Sequence, residues 1–306
     1  MKDRSIVSSL VSGAVALLIL GGHAKQQKAE AVNVNAGSAG SEWTKAMTDQ
    51  EEHQTYQLAA GAHVDVSNIS GPVSIEATDG SFAEVHIYRT ANNSDDLAYR
   101  KVSVEQTSSG LTIRQKNDGA EPSQVDILNR VVLKLPRQVS VSGKNISGDF
   151  NISGVGGAVD LNAISGSVKA MHLNGALTVS GVSGDFNISG IGGAVDLNAI
   201  SGSVEAKHLN GALTVSGVSG NVRVAVARIN DAGLRVNGVS GNVYLGLASD
   251  LNAELRVGNT TSGVSNKIQG LALVSVGPSN YSARLGSGGP RIEVSGVTGS
   301  IVLQRI

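Results

Sequence analysis

Residues 147–182 read SGDFNISGVGGAVDLNAISGSVKAMHLNGALTVSGV, and residues 183–218 repeat them with three changes: Val155 to Ile191, Lys169 to Glu205 and Met171 to Lys207. Each 36-residue copy divides into four units of nine, with the pattern x-apolar-x-Gly-x-apolar-x-apolar-x. Ile146, Val155, Ile164 and Leu173 hold the second position; Gly148, Gly157, Gly166 and Gly175 hold the fourth. Phe150, Val159, Val168 and Leu177 hold the sixth, and Ile152, Leu161, Ala170 and Val179 the eighth. From Asn145, nine units follow one another without a gap, and isolated copies stand at Asn68–Glu76, Gly238–Gly246 and Gly296–Gln304.

This register dictates a shape. Positions six and eight are two residues apart and share one face of a strand. The next apolar residue comes three positions later, so the chain must bend between them. Glycine at position four supplies freedom for the bend, including positive φ. A single strand cannot bury its apolar face alone, but stacked coils pair their backbones and line up a continuous apolar ladder. A sandwich of hairpins would not need an unbroken nine-residue register. The expected fold is therefore all-β: a single-stranded β-solenoid of nine-residue strand-turn units. Two units per coil make the duplication two whole coils; three would leave it out of phase.

Outward from the repeat, residues 143–306 are assigned to the solenoid and 55–142 to an irregular N-terminal β region that caps it. In that region Val64/Val66, Val73/Ile75, Val85/Ile87, Val102/Val104, Leu111/Ile113 and Val131–Leu135 mark short strands between turn signals such as Asp79-Gly80 and Ser109-Gly110. Ser94–Lys101 reads as a helical turn, and residues 43–60 as one short helix. Residues 25–54 form a linker rich in Ala, Gln, Asn and Gly. Residues 1–24 have the form of an export signal: Lys2 and Arg4, an apolar run from Ile6 to Leu20, then Gly22-His23-Ala24. That run is too short to span a membrane, and no later stretch reaches spanning length. The mature chain is expected to begin near Lys25, in the periplasm, at the cell surface or in the medium.

Composition narrows the function. The chain has 306 residues, net charge −1, no cysteine, 39 glycines and only 3% aromatics. No basic run follows the signal, so there is no footprint for nucleic acid. Thiolate chemistry and disulfides are excluded. The repeat is similar in period to calcium-binding nonapeptides, but position six is Phe, Val or Leu where calcium needs a carboxylate. Asp149, Asp160, Asp185 and Asp196 stand at outward positions and read as surface carboxylates. No regular threonine array suggests ice binding. Of the six histidines, His23, His53, His63, His86, His172 and His208, the first lies in the signal, and His172 and His208 are one corner position copied by duplication, neither with a second His at metal-ligand spacing. Gly-x-Ser-x-Gly is absent, and no Ser-His-Asp set emerges from spacing. Gly154-Val155-Gly156-Gly157 belongs to the repeat rather than to a phosphate loop. Trp43, Tyr56, Tyr88 and Tyr99 all lie before the repeats, so any aromatic binding patch belongs there. No catalytic, cofactor-binding or metal-ligating residue is nominated.

The run of Ser-Gly-polar-apolar-x-apolar units resembles a bacterial adhesin-like family of β-strand-repeat proteins, a domain family of unknown function. It is also similar to adhesin-head-like GIN domains. Val64-Asp65-Val66-Ser67-Asn68-Ile69-Ser70-Gly71-Pro72-Val73-Ser74-Ile75 resembles that family's opening strand pair, and Val131-Val132-Leu133-Lys134-Leu135-Pro136 its entry into the repeats. The resemblance covers roughly residues 55–306. It implies a β-solenoid, an envelope or secreted location and an adhesive or envelope-associated role, with no catalytic residues to carry over. The expected function is an exported, non-enzymatic, adhesin-like interaction protein without cofactor, whose partner is an envelope protein or surface ligand. The alternatives are a carbohydrate-active envelope enzyme and an accessory protein of an envelope-stress system. Ser300–Ile306 is strand-like to its last residue, which leaves an uncovered C-terminal coil. A monomer is favoured, with Arg305 and the carboxylate as gatekeepers of that edge.

Overall fold

The computed structural model describes residues 48–116, 127–269, 271–277 and 280–306; the expected export signal and the linker up to residue 47 lie outside them. The N-terminal strands are β1 (Thr48–Gln57), β2 (His63–Ser67), β3 (Val73–Thr78), β4 (Phe82–Ala91), β5 (Val102–Gln106), β6 (Gly110–Gln115) and β7 (Ile127–Pro136). Then come β8 (Ser140–Ile146), β9 (Phe150–Ser153), β10 (Val159–Ile164), β11 (Val168–Met171), β12 (Leu177–Val182) and β13 (Phe186–Ile191). They are followed by β14 (Val195–Ile200), β15 (Val204–Leu209), β16 (Leu213–Val218), β17 (Val222–Val226), β18 (Leu234–Val239) and β19 (Val243–Leu247). The last group is β20 (Ala253–Thr260), β21 (Val264–Asn266), β22 (Ala272–Val276), β23 (Asn280–Leu285), β24 (Arg291–Val297) and β25 (Ile301–Arg305).

Among the described residues these strands form two large, mostly parallel sheets, consistent with a β-solenoid. One has 12 strands in the order β1-β4-β7-β3-β9-β11-β13-β15-β17-β19-β25-β21. The other has 13, in the order β22-β23-β20-β24-β18-β16-β14-β12-β10-β8-β2-β6-β5. Consecutive strands of the central stretch alternate between the sheets, so each turn of the chain contributes one strand to each. Val159 pairs with Leu177 and Leu177 with Val195, while Phe150 pairs with Val168 and Val168 with Phe186. These are the two strands per coil that the duplication favoured.

The core lies between the sheets. Phe150, Val168, Phe186, Val204 and Val222 make one buried ladder; Val159, Leu177, Val195 and Leu213 face them from the other sheet. The intervening side chains, such as Asn151, Asp160, Lys169 and Asn187, are exposed. Ile69, Val73 and Ile75 and the later Val239, Val243 and Leu245 continue the same ladders. Leu209 is the exception in the duplicated stretch, being only partly buried.

The repeated glycines serve a different purpose from the one inferred above. Gly148, Gly166, Gly184 and Gly202 do not have positive φ; they stack backbone on backbone. A Cβ on Gly166 would meet the backbone of Gly148 at 2.4 Å, and one on Gly184 would meet Gly166 at 2.6 Å. Gly157, Gly175, Gly193 and Gly211 form a matching column on the opposite edge. The left-handed residues are instead those just before the corner apolar residue: Asn145, Ala163, His172, Ala199 and His208, with φ from 52° to 56°, and Gly154, Gly181, Gly190 and Gly217 at the same place in the other units. The chain therefore turns at one position and packs closely at another.

Two elements differ from expectation. The short helix read over residues 43–60, and the end of the linker at 54, give way to β1, which is a strand from Thr48 and pairs antiparallel with β4. Its inner face is polar, so no apolar alternation marks it. The C-terminal strand is not an open edge. β25 pairs with β19 on one side and β21 on the other, and β24 lies between β18 and β20. The chain leaves the stack after β19, builds β20–β23, and returns to insert its last two strands. The outermost strand of that sheet is β22, where Leu273, Val274 and Val276 are exposed. The helical turn near residue 94 is present as a 3-10 helix, Ser94–Ala98, capped by the Asn93 side chain accepting from the Asp95 amide.

Candidate functional site

Chemically diverse side chains concentrate at the N-terminal end, where β1, β4 and β7 pair antiparallel. Antiparallel pairing puts residues far apart in sequence directly opposite one another. His53 of β1 stands across from His86 of β4, and Glu51 across from Tyr88. Glu84, two residues before His86, shares the same outward face and lies across from Lys134 of β7.

The His53 and His86 rings stack with centroids 4.1 Å apart and planes 12° from parallel. His86 Nε2 lies 3.8 Å from Glu84 Oε2, and its Nδ1 lies 3.7 Å from Glu51 Oε1. His86 Nδ1 is buried and has no hydrogen-bond partner. Lys134 Nζ donates to Glu84 Oε2 at 3.0 Å, and that hydrogen bond holds the Glu84 carboxyl below its ordinary range. Tyr88 extends the row, its ring 6.4 Å from that of His86, with the Arg130 guanidinium 6.0 Å above it. Burial, with Glu51 next, raises the Tyr88 phenol.

Behind this face is a buried polar network. Arg89, 2% exposed, donates to Gln50 Oε1 at 3.0 Å, to Asn129 Oδ1 at 3.4 Å and to the Tyr99 carbonyl at 2.5 Å. Asn129 in turn donates to Gln115 Oε1 at 2.7 Å and to the Arg100 carbonyl at 3.1 Å. Burial lowers the Arg89 guanidinium, with Glu52 opposing. These bonds close the end of the stack, as buried polar groups require partners. The aromatic residues are not assembled into one patch: Tyr88 faces outward, Tyr56 lies on the other face of β1, and Trp43 is outside the described residues.

A second cluster joins β2 to β8. His63 reaches Ser140 Oγ at 3.0 Å and Ser142 Oγ at 3.2 Å, while Ser142 donates to Asp65 Oδ2 at 2.6 Å. The order is wrong for a nucleophile. The serine proton points to the aspartate rather than to the histidine, and Ser142 is 3% exposed. The cluster ties the first coil to the next.

Two of the outward carboxylates of the repeats, Asp149 and Asp185, also hold coils together. Asp149 accepts from the Ser167 amide at 2.9 Å and Asp185 from the Ser203 amide at 2.8 Å. Asn221 and Asn242 continue the column to Ser300 at 2.9 and 2.8 Å. His172 and His208 occupy equivalent corners, and both are left-handed, with φ 53° and 52°. The sequence reading thus placed the repeat residues but missed His53 with His86. Their separation follows no ligand spacing, and only the β1–β4 pairing reveals it.

The chain matches the Toastrack DUF4097 family over residues 61–301. No curated protein matches it. Among solved structures it is similar to a candidate adhesin from Bacteroides fragilis, with 15% identity, 83% of this chain and 96% of that one covered, and a TM-score of 0.50. A candidate adhesin from Parabacteroides distasonis covers 84% of this chain and 97% of its own at 11% identity, with a TM-score of 0.31. The first likeness supports the fold, and the family match spans both sheets, from just before β2 to the start of β25. The chain belongs to the Toastrack DUF4097 family.

Proposed function

We propose that this chain is an exported, non-catalytic interaction protein, adhesin-like, that presents a rigid β-solenoid surface at the cell envelope. Its unit is the nine-residue strand plus corner, two to a coil, and residues 55–142 act as the N-terminal cap. The observation that carries the reading is the column of Asp149, Ser167, Asp185, Ser203, Asn221, Asn242 and Ser300. The surface side chains Asp149, Asp185, Asn221 and Asn242 each bond the next coil's backbone. A surface built this way is stiff and regular, and suits display more than a reaction that needs a shaped, water-excluding cleft. The similarity to a candidate adhesin from Bacteroides fragilis points the same way. The chain works as a monomer that holds its partner on this face.

Fractionation of cells that make the tagged protein, with N-terminal sequencing, tests the location. The protein should be recovered outside the cytoplasm with an N terminus near Lys25. An intact chain confined to the cytosol contradicts the proposal. Turnover of an envelope polysaccharide by the purified chain, abolished by replacing one of its carboxylates, would overturn its non-catalytic part.

A further inference from the structure

We propose that His53, Glu84 and His86 form a binding site for a late first-row divalent transition ion of the zinc class, which clamps the outer strand β1 onto β4. One ligand atom from each of the three residues lies within 4.8 Å of the other two. Two imidazoles and one carboxylate are the donor set that such ions select over calcium or magnesium, which favour oxygen alone. The backbone already fixes the hard part of the site. Residues directly opposite on antiparallel strands hold their Cβ atoms about 4.5–5.5 Å apart, so two imidazoles can reach one ion at about 2.0–2.1 Å. Convergence needs rotation of the His53 ring out of its stack on His86, and His53 is exposed on the outer strand.

The surroundings support the same assignment. A metal-bound imidazole usually gives its other N–H to a carboxylate, which fixes the ring's tautomer and orientation. When His86 binds through Nε2, beside Glu84, its unpartnered and buried Nδ1 faces Glu51 Oε1, 3.7 Å away. Lys134 keeps the Glu84 carboxylate in place from the side away from β1. Among the described residues β1 is the last strand of its sheet, with β4 as its one neighbour, so a bridge across this pair secures that edge.

Titration of the tag-free, chelator-treated chain with zinc chloride, followed by calorimetry and by metal analysis after dialysis, tests this. The expected result is one equivalent bound at micromolar ion, a raised Tm, and slower amide exchange in residues 48–57. His53→Ala and His86→Ala should each abolish that equivalent. Glu51→Gln should weaken binding about 10-fold, as loss of a partner to a metal-bound imidazole does. His172→Ala with His208→Ala should change nothing. His53→Ala alters an exposed side chain, so its circular dichroism should match the parent chain and loss of binding cannot be put down to unfolding. No saturable zinc binding by the parent chain, or binding that survives His53→Ala but is lost with His172 and His208, would overturn the proposal.

Discussion

At the scale of the residue, two small side chains have opposite roles in one coil. Gly184 stacks on the backbone of Gly166, and an added Cβ would lie 2.6 Å from it with only backbone to move. Gly184→Ala should cost about 2 kcal/mol or more, because overpacking against backbone cannot relax by a rotamer change. Ala199 sits at φ 56°, where an L side chain costs roughly 1 kcal/mol. Ala199→Gly removes that strain, partly offset by the freedom glycine gains when unfolded, so stability should hold or rise by up to about 1 kcal/mol. Urea unfolding of the two variants reads the contrast directly, and equal destabilisation would refute the assignment. The glycine pattern was plain in the sequence; its reason was not, because glycine answers equally to a turn and to a close approach. The true turn position was hidden because Asn145, Ala163, His172 and Ala199 fill it alongside glycine. Two of the three differences between the copies also prove to be coupled. Glu205 and Lys207 form an ion pair at 2.8 Å where the first copy has Lys169 and Met171. Both side chains are partly exposed, and the pair contributes at most about 1 kcal/mol.

At the scale of the element, strands with an apolar face were legible and strands with a polar face were not. The alternation of Val64/Val66, Val85/Ile87 and Val131/Leu133 marked β2, β4 and β7. β1 carries Gln50, Glu52 and Gln54 on its inner side, over the Arg89 network, and shows no such signal. Arg89→Ala should destabilise by about 3 kcal/mol, since Asn129 and Gln50 would lose a charged donor in a buried setting. Arg89→Lys should recover little, because one ammonium cannot serve three diverging acceptors. Thermal melts of both variants check this. Strand pairing is equally hidden from local sequence: that β25 belongs between β19 and β21 depends on a return across the excursion β20–β23. Deleting residues 301–306 removes the buried Ile301 and Leu303 and strips a ladder from both neighbours. The truncated chain should lose protection against amide exchange in β19, β21 and β24. A truncated chain as stable as the parent would mean that β25 is an open edge after all.

At the scale of the whole molecule, the duplication is what most directly tests the architecture. The two sheets grow by one strand each for every 18 residues, as Asp149 with Ser167 and Asp185 with Ser203 show in the bonded column. Removing residues 183–218 joins Val182 to Ser219, so that Val222 takes the place of Phe186 on Val168, and Leu234 that of Val195 on Leu177. Val222 brings the apolar, glycine and polar positions of the strand it replaces, with Gly220 for Gly184, while Leu234 keeps the apolar column with Ala232 where Gly193 stood; stacked repeats tolerate the loss of units. Insertions elsewhere leave the polar column intact: Asn221 bonds to Asn242 across 21 residues, and Asn242 to Ser300 across 58. With strands about 4.8 Å apart, two coils account for roughly 10 Å of length. The decisive measurement is small-angle X-ray scattering on the chain lacking residues 183–218 beside the parent chain. The account predicts a folded protein whose longest dimension is shorter by roughly 10 Å at an unchanged cross-section. An unfolded variant, or a folded one that narrows instead of shortening, would contradict it.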